Sequence, residues 1–144
     1  MVDSGAAEGR VVGLDLGEAR IGVSISDPDR RVAMPIGTVQ VGRPPGELRA
    51  IAAIVADNDA VLVVLGLPLS MSGDPGPSAR RAQDFAGVLR TAIPVPVVLQ
   101  DERLSTVEAE KTLREAGVKG RDLRSVIDRS AATVILQAWL DENG

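Results

Sequence analysis

Residues 11–16, VVGLDL, form an apolar run rich in β-branched side chains and read as a strand. Residues 20–27 read as a second strand, with Ile21, Val23 and Ile25 alternating with small or polar positions. Residues 32–41 predict a third strand, interrupted by Pro35. The Pro44-Pro45-Gly46 turn then leads into a helix whose apolar face is Leu48, Ile51, Ala52 and Val55. Residues 61–65 are continuously apolar and bounded by Gly66, as expected of a strand buried on both faces.

A loop of Gly, Pro and Ser follows at residues 66–77 (GLPLSMSGDPGP), then a helix from about Ser78 with Ala82, Phe85, Ala86 and Leu89 at helical spacing. Residues 94–100 predict another strand. Residues 105–116 predict a helix opened by the capping box Ser105-x-x-Glu108 and stopped by Gly117. The last helix is expected over residues 125–140, with Ile127, Ala131, Val134, Ile135 and Ala138 as its inward stripe. In the order β-β-β-α-β-α-β-α-α, the three leading strands suggest an antiparallel meander and the later alternation suggests parallel crossovers. The expected fold class is therefore α/β, a mixed five-stranded sheet with helices on its faces. Residues 11–144 are expected to form one domain, with residues 1–10 as a disordered extension.

Composition narrows the chemistry. The 144 residues contain no His, Cys or Tyr, and Phe85 and Trp139 are the only aromatics. A Ser-His-Asp or Cys-His nucleophile and a Cys/His zinc site are excluded. Base stacking on an aromatic platform cannot be the main mode of nucleic-acid binding. Acid-base or metal chemistry must rest on carboxylates, hydroxyls, Lys and Arg. Residues 1–10 lack the charged-then-apolar pattern of a signal peptide, and the longest apolar stretch, residues 60–69, is broken by Gly66 and Pro68 and is too short to span a bilayer. A cytoplasmic protein with no membrane partner is expected.

The net charge of −4 is unevenly placed. Residues 1–10 and 141–144 hold four acids and one base; the remainder has 16 acidic and 15 basic residues. Between Lys111 and Arg129 six bases (Lys111, Arg114, Lys119, Arg121, Arg124, Arg129) outnumber three acids (Glu115, Asp122, Asp128). Phosphate contacts need such a local patch rather than a global sign.

Asp15 stands in the middle of the first apolar strand, sharing a face with Val11 and Gly13. Gly13 and Gly17 flank it and leave room for another backbone or a ligand. An unpaired buried carboxylate costs several kcal/mol, so Asp15 needs either an ion or a partner such as Arg20. Asp101 and Glu102 end a later strand, where ligand sites gather in α/β sheets; a solvated pair beside Arg103 is the plainer alternative. Asp128 lies three residues after Ser125, so it is either a helix-capping acid or a third member of the same cluster. Three acids from a strand centre, a strand end and a helix start suit a hard cation, Mg²⁺ or Mn²⁺. Arg80 and Arg81 open a helix where the dipole disfavours cations, which an anionic ligand would explain and solvation would equally allow.

These segments resemble a known family. GLDLGEARIGVSISD (13–27), GLPLSMSGDPG (66–76), DERLST (101–106) and IDRSAATVILQAWLD (127–141) are similar to motifs of the YqgF/RuvX family, described as pre-16S rRNA nucleases and as Holliday-junction-resolvase-like. The resemblance runs in order over nearly the whole chain. It implies an RNase H-like fold and a hydrolase of phosphodiester bonds, with Asp15, Glu102 and Asp128 as catalytic acids that bind Mg²⁺ or Mn²⁺. It also implies that Arg20 and Arg103 orient carboxylates or contact phosphate; Arg80, Arg81 and Arg129 join them as candidate substrate-binding residues. The SMSGDPG loop departs from the family pattern, in which Asn and a second acid are commoner. The implied substrate is pre-16S rRNA or branched DNA, and the resolvase alternative implies a homodimer, because two strands must be cut symmetrically. Two rival readings remain. One is a non-catalytic nucleic-acid-binding module. The other rests on the resemblance of DLGEARIGVSISD to the first phosphate loop of the actin-like kinase/ATPase superfamily, whose nucleotide lies between two such domains.

Overall fold

The computed structural model describes residues 9–42, 46–69, 72–102, 114–117, 120 and 131–143. The chain opens with β1 (Val11–Leu16), β2 (Arg20–Ser26) and β3 (Ala33–Gln40), then α1 (Gly46–Asp57), β4 (Leu62–Leu67), α2 (Pro77–Ala92), β5 (Val97–Asp101) and α3 (Ala131–Asn143). Most of the helix expected at residues 105–116, and the expected start of the last helix, lie outside the described residues.

The strands form one sheet in the order β3-β2-β1-β4-β5. β1, β2 and β3 pair antiparallel, while β1–β4 and β4–β5 are parallel and are reached through α1 and α2. This is the mixed sheet expected from the element order. Pro35 does not break β3. It sits on an edge strand, where a missing N–H is tolerated, and the register shifts beside it: Ser24 pairs with Pro35 and Val23 with Gly37, leaving Ile36 as the extra residue of a bulge.

Each sheet face has its own core. On one, Val12, Leu14, Ile21, Val23, Val63 and Leu65 pack against Ile51 and Val55 of α1 and Ala82, Ala86 and Leu89 of α2. Leu14, Ile21, Ile51, Leu65 and Leu89 are fully buried, each contributing roughly 1.5–3 kcal/mol by removal from water. On the other face, Val11 and Val64 pack against Ile135, Leu136 and Leu140 of α3. Ala132 through Ala138 are all buried, whereas Ala131 is exposed and does not belong to the inward stripe. Gly13 brings the sheet up against Ala132, and the Ser24 hydroxyl holds the Ala132 carbonyl at 2.8 Å, which turns Ala131 outward.

Polar bonds lock α3 to the β2–β3 turn. Gln137, wholly buried, accepts from the Ala33 N–H at 2.9 Å and donates to the Arg31 carbonyl at 2.9 Å. The turn is closed by Asp27, whose carboxylate accepts from the Arg31 and Val32 N–H groups at 2.7 and 2.9 Å. Gly9 and Arg10, expected in a disordered extension, are bonded into this frame. The Gly9 carbonyl accepts from Arg30 at 3.1 Å, Arg10 donates to the Ser26 carbonyl at 3.1 Å, and the Arg10 carbonyl accepts from Val61 N–H at 2.9 Å.

Candidate active site

The register decides which acids meet. Side chains alternate along a strand, and Leu14, Leu65 and Leu99 lie level on the α1/α2 side. Asp15, Gly66 and Gln100, one residue further on, therefore belong to the α3 side, and Glu102 follows Gln100 there. The Glu102 N–H donates to the Leu67 carbonyl at 3.2 Å, extending the β4–β5 pairing past the end of β5. Asp101 pairs with Leu67 and belongs to the opposite side. Glu102, not Asp101, thus joins Asp15.

Glycines make the room. Asp15 pairs across the ladder with Gly22 of β2. A methyl group added to Gly66 would come within 2.6 Å of Glu102 Oε2 and 2.5 Å of Ile135 Cδ1. The Glu102 carboxylate therefore rests over the bare α-carbon of Gly66, on the strand between its own and that of Asp15. Both acids are half-buried. Burial, reinforced by the charges of Asp15 and Asp101, pushes the Glu102 carboxyl up to about 7. Burial raises Asp15 as well. No contribution from Arg20 offsets that shift: Arg20 is exposed at the start of β2, with its carbonyl accepting from Gly17 N–H at 3.0 Å. The ion-pair alternative for Asp15 is not what the geometry shows.

Two half-buried carboxylates on the same side of the sheet form an oxygen donor set for a hard cation. Among the described residues no third acid completes a cluster with them; Asp128 lies outside the described residues, as do Arg103 and Arg129. Arg80 is exposed on the first turn of α2. Arg81 donates to the Gly17 carbonyl at 2.8 Å and borders a cleft of about 510 Å³ lined by Leu16, Gly17, Glu18, Pro77 and Ser78. Arg81 thus stands at the β1–β2 turn, at the same end of the sheet as the acids.

Gly66 and Gly22 are site residues that the sequence analysis did not single out. Gly22 faces Asp15 through a hairpin register that a short turn at residues 17–19 would have allowed to be counted. Gly66 meets Glu102 through parallel pairing across a crossover, for which no local signal exists. Gly13 receives α3 rather than a ligand: its absent side chain leaves space for Leu136 Cβ and the Ala132 carbonyl, at 2.7 and 3.0 Å from where a Cβ would stand.

The chain is 46% identical over 142 residues to a "putative pre-16S rRNA nuclease" of Mycobacterium ulcerans, spanning 98% of this chain and 84% of that protein. It is 49% identical over 135 residues to a protein of the same name from Mycobacterium tuberculosis, spanning 93% and 79%. Thermus thermophilus RuvC in complex with a Holliday junction substrate superposes with a TM-score of 0.51 at 14% identity, over 94% of this chain and 96% of that one. That likeness is one of fold, and the fold is RNase H-like. The model of the family described as RuvX, Holliday junction resolvase, matches residues 9–142, and the chain belongs to that family.

Proposed function

We propose that this chain is a divalent-metal-dependent endonuclease of structured nucleic acid, acting in the cytoplasm on the 5′ end of pre-16S rRNA. The observation that carries the reading is the Asp15–Glu102 pair, both half-buried on the α3 side at the ends of parallel strands, with Glu102 over Gly66 and Asp15 beside Gly22. Both groups offer only oxygen, and the charge of Asp15 raises the cost of ionising Glu102, so the pair suits Mg²⁺ or Mn²⁺, with Asp128 as the third ligand. Bound there, such a cation would activate a water and stabilise the leaving oxygen of phosphodiester hydrolysis. Glu102 must shed its proton to act as a ligand, which couples cation uptake to pH. Arg20, Arg80, Arg81, Arg103 and Arg129 supply the positive charge that draws a phosphate backbone toward two acids that would otherwise repel it. Residues 11–144 act as one nuclease domain.

The family description favours a second reading, a junction resolvase that works as a twofold dimer. One experiment separates them: cleavage of labelled precursor rRNA 5′-end fragments and of four-way DNA junctions in Mg²⁺, Mn²⁺ or EDTA, with Asp15→Asn beside wild type. Metal-dependent cleavage abolished by Asp15→Asn establishes the nuclease, and the better-cut substrate chooses between rRNA processing and junction resolution. Binding of both substrates with no cleavage moves the binding-module reading ahead or calls for a missing partner.

A further inference from the structure

We infer that Gly66 is a positioning residue for the metal site: its bare α-carbon is the seat of the Glu102 carboxylate, Ile135 is the opposing jaw, and this seat sets the cation affinity of the acid pair. The inference rests on reading Asp15 and Glu102 as metal ligands.

Nothing in the backbone calls for glycine at this position. Gly66 lies inside β4 without the positive φ that marks Gly37 or Gly73. Glycine in a strand interior costs stability, and a central parallel strand favours β-branched residues. The missing side chain therefore serves space rather than conformation. The space is occupied from two sides: a Cβ would stand 2.6 Å from Glu102 Oε2, 3.0 Å from Glu102 Cδ and 2.5 Å from Ile135 Cδ1.

Gly13, on the same sheet face, shows what a purely architectural glycine looks like. There a Cβ would stand 3.0 Å from the Ala132 backbone carbonyl and 2.7 Å from Leu136 Cβ, so α3 itself would have to lift. At Gly66 the colliding atoms are the far ends of two flexible side chains. A methyl group there would push the carboxylate aside while the strands keep their pairing. Displacing a ligand by a fraction of an ångström degrades a metal site far more than it degrades a fold, and changes in ligand support cost about 10–100-fold in affinity.

The test is Mn²⁺ binding to the metal-free protein, read by calorimetry and by the electron paramagnetic resonance signal of free Mn²⁺. Wild type is compared with Gly66→Ala, Glu102→Asp, the double variant, Asp15→Asn and Gly87→Ala, the last adding a methyl where nothing lies within 4 Å. Gly66→Ala is expected to keep the wild-type circular dichroism and to bind Mn²⁺ about tenfold or more weakly, with Gly87→Ala unchanged. Aspartate withdraws the carboxylate by one methylene from the added methyl. The double variant should therefore bind no more weakly than Glu102→Asp alone, a non-additivity that marks direct contact. Wild-type affinity in Gly66→Ala, or simple addition of the two losses, overturns the inference while leaving the metal site standing. If Gly66→Ala does not fold, Ile135→Val decides: weaker Mn²⁺ binding supports the seat, and wild-type affinity overturns it. Wild type that takes up no Mn²⁺, with Asp15→Asn indistinguishable from it, removes the metal-site reading and this inference together.

Discussion

The Ser24 hydroxyl of β2 donates a 2.8 Å hydrogen bond to the Ala132 carbonyl of α3, joining residues 108 apart in the chain. Ser24 is wholly buried, so the bond forms out of reach of water. Ser24→Ala is expected to destabilise the protein by about 1–3 kcal/mol. Ser72→Ala, which loses an exposed bond to Asp74, should cost less than about 0.5 kcal/mol. Urea unfolding with unchanged m-values measures both.

Two glycine-to-alanine changes should move stability in opposite directions. At Gly13 the new methyl meets Ser24 Oγ, Leu136 Cβ and the Ala132 carbonyl, and the overpacking is expected to cost about 3 kcal/mol. At Gly87, in the middle of α2 with open space around it, alanine is expected to add about 0.5–1 kcal/mol through helix propensity. Thermal unfolding of the two variants beside wild type checks the signs.

The acid pair should make the metal-free protein lose stability as pH rises. Glu102 is raised from an ordinary 4.5 to about 7 by burial and by the charges of Asp15 and Asp101. Between those values the native state holds a proton that the unfolded chain has released, so stability falls with pH until the native carboxyl has also ionised. In EDTA the Tm should decline from pH 5 to pH 8, and Glu102→Gln should flatten the decline. Mg²⁺ should restore stability most strongly at the alkaline end, where the site is charged. A wild-type profile that matches Glu102→Gln would contradict this account.

Arg81 should act on binding rather than on the chemical step. Arg81→Ala is expected to weaken nucleic-acid affinity about equally for all sequences and to reduce the slope of log K against log salt by about one. Binding titrations in EDTA at several KCl concentrations measure it. An unchanged slope would leave Arg81 with its 2.8 Å bond to the Gly17 carbonyl and no phosphate contact.

Asp15 was legible in the sequence because a charge inside an apolar strand violates the pattern around it, and the antiparallel start and parallel crossovers of the sheet followed from the order of elements. The choice between Asp101 and Glu102 was not legible, since both follow the same apolar run. Only the pairing of Leu65 with Leu99 assigns them to opposite faces. The inward phase of α3 was misread by one residue at Ala131 because two adjacent alanines look alike to a periodicity argument. A glycine on a distant strand and a serine hydroxyl, Gly13 and Ser24, select Ala132. The effect of Pro35 was visible as an interruption, but its form, a bulge opposite Val23 and Ser24, depends on the partner strand.

The bond between Ser24 and Ala132 also sets a timetable. At about 5–20 residues added per second, a ribosome making this chain produces Ala132 roughly 5–20 s after Ser24. Until then Val11, and Val64 once it is made, have no α3 to pack against, and the seat at Gly66 lacks its Ile135 jaw. The nascent sheet therefore shows that apolar face to wrong partners. Pairing across so long a separation is also entropically slow. The seat at Gly66 gains its second wall only when α3 arrives, so the Glu102 carboxylate is unconfined on that side until Ile135 has been made.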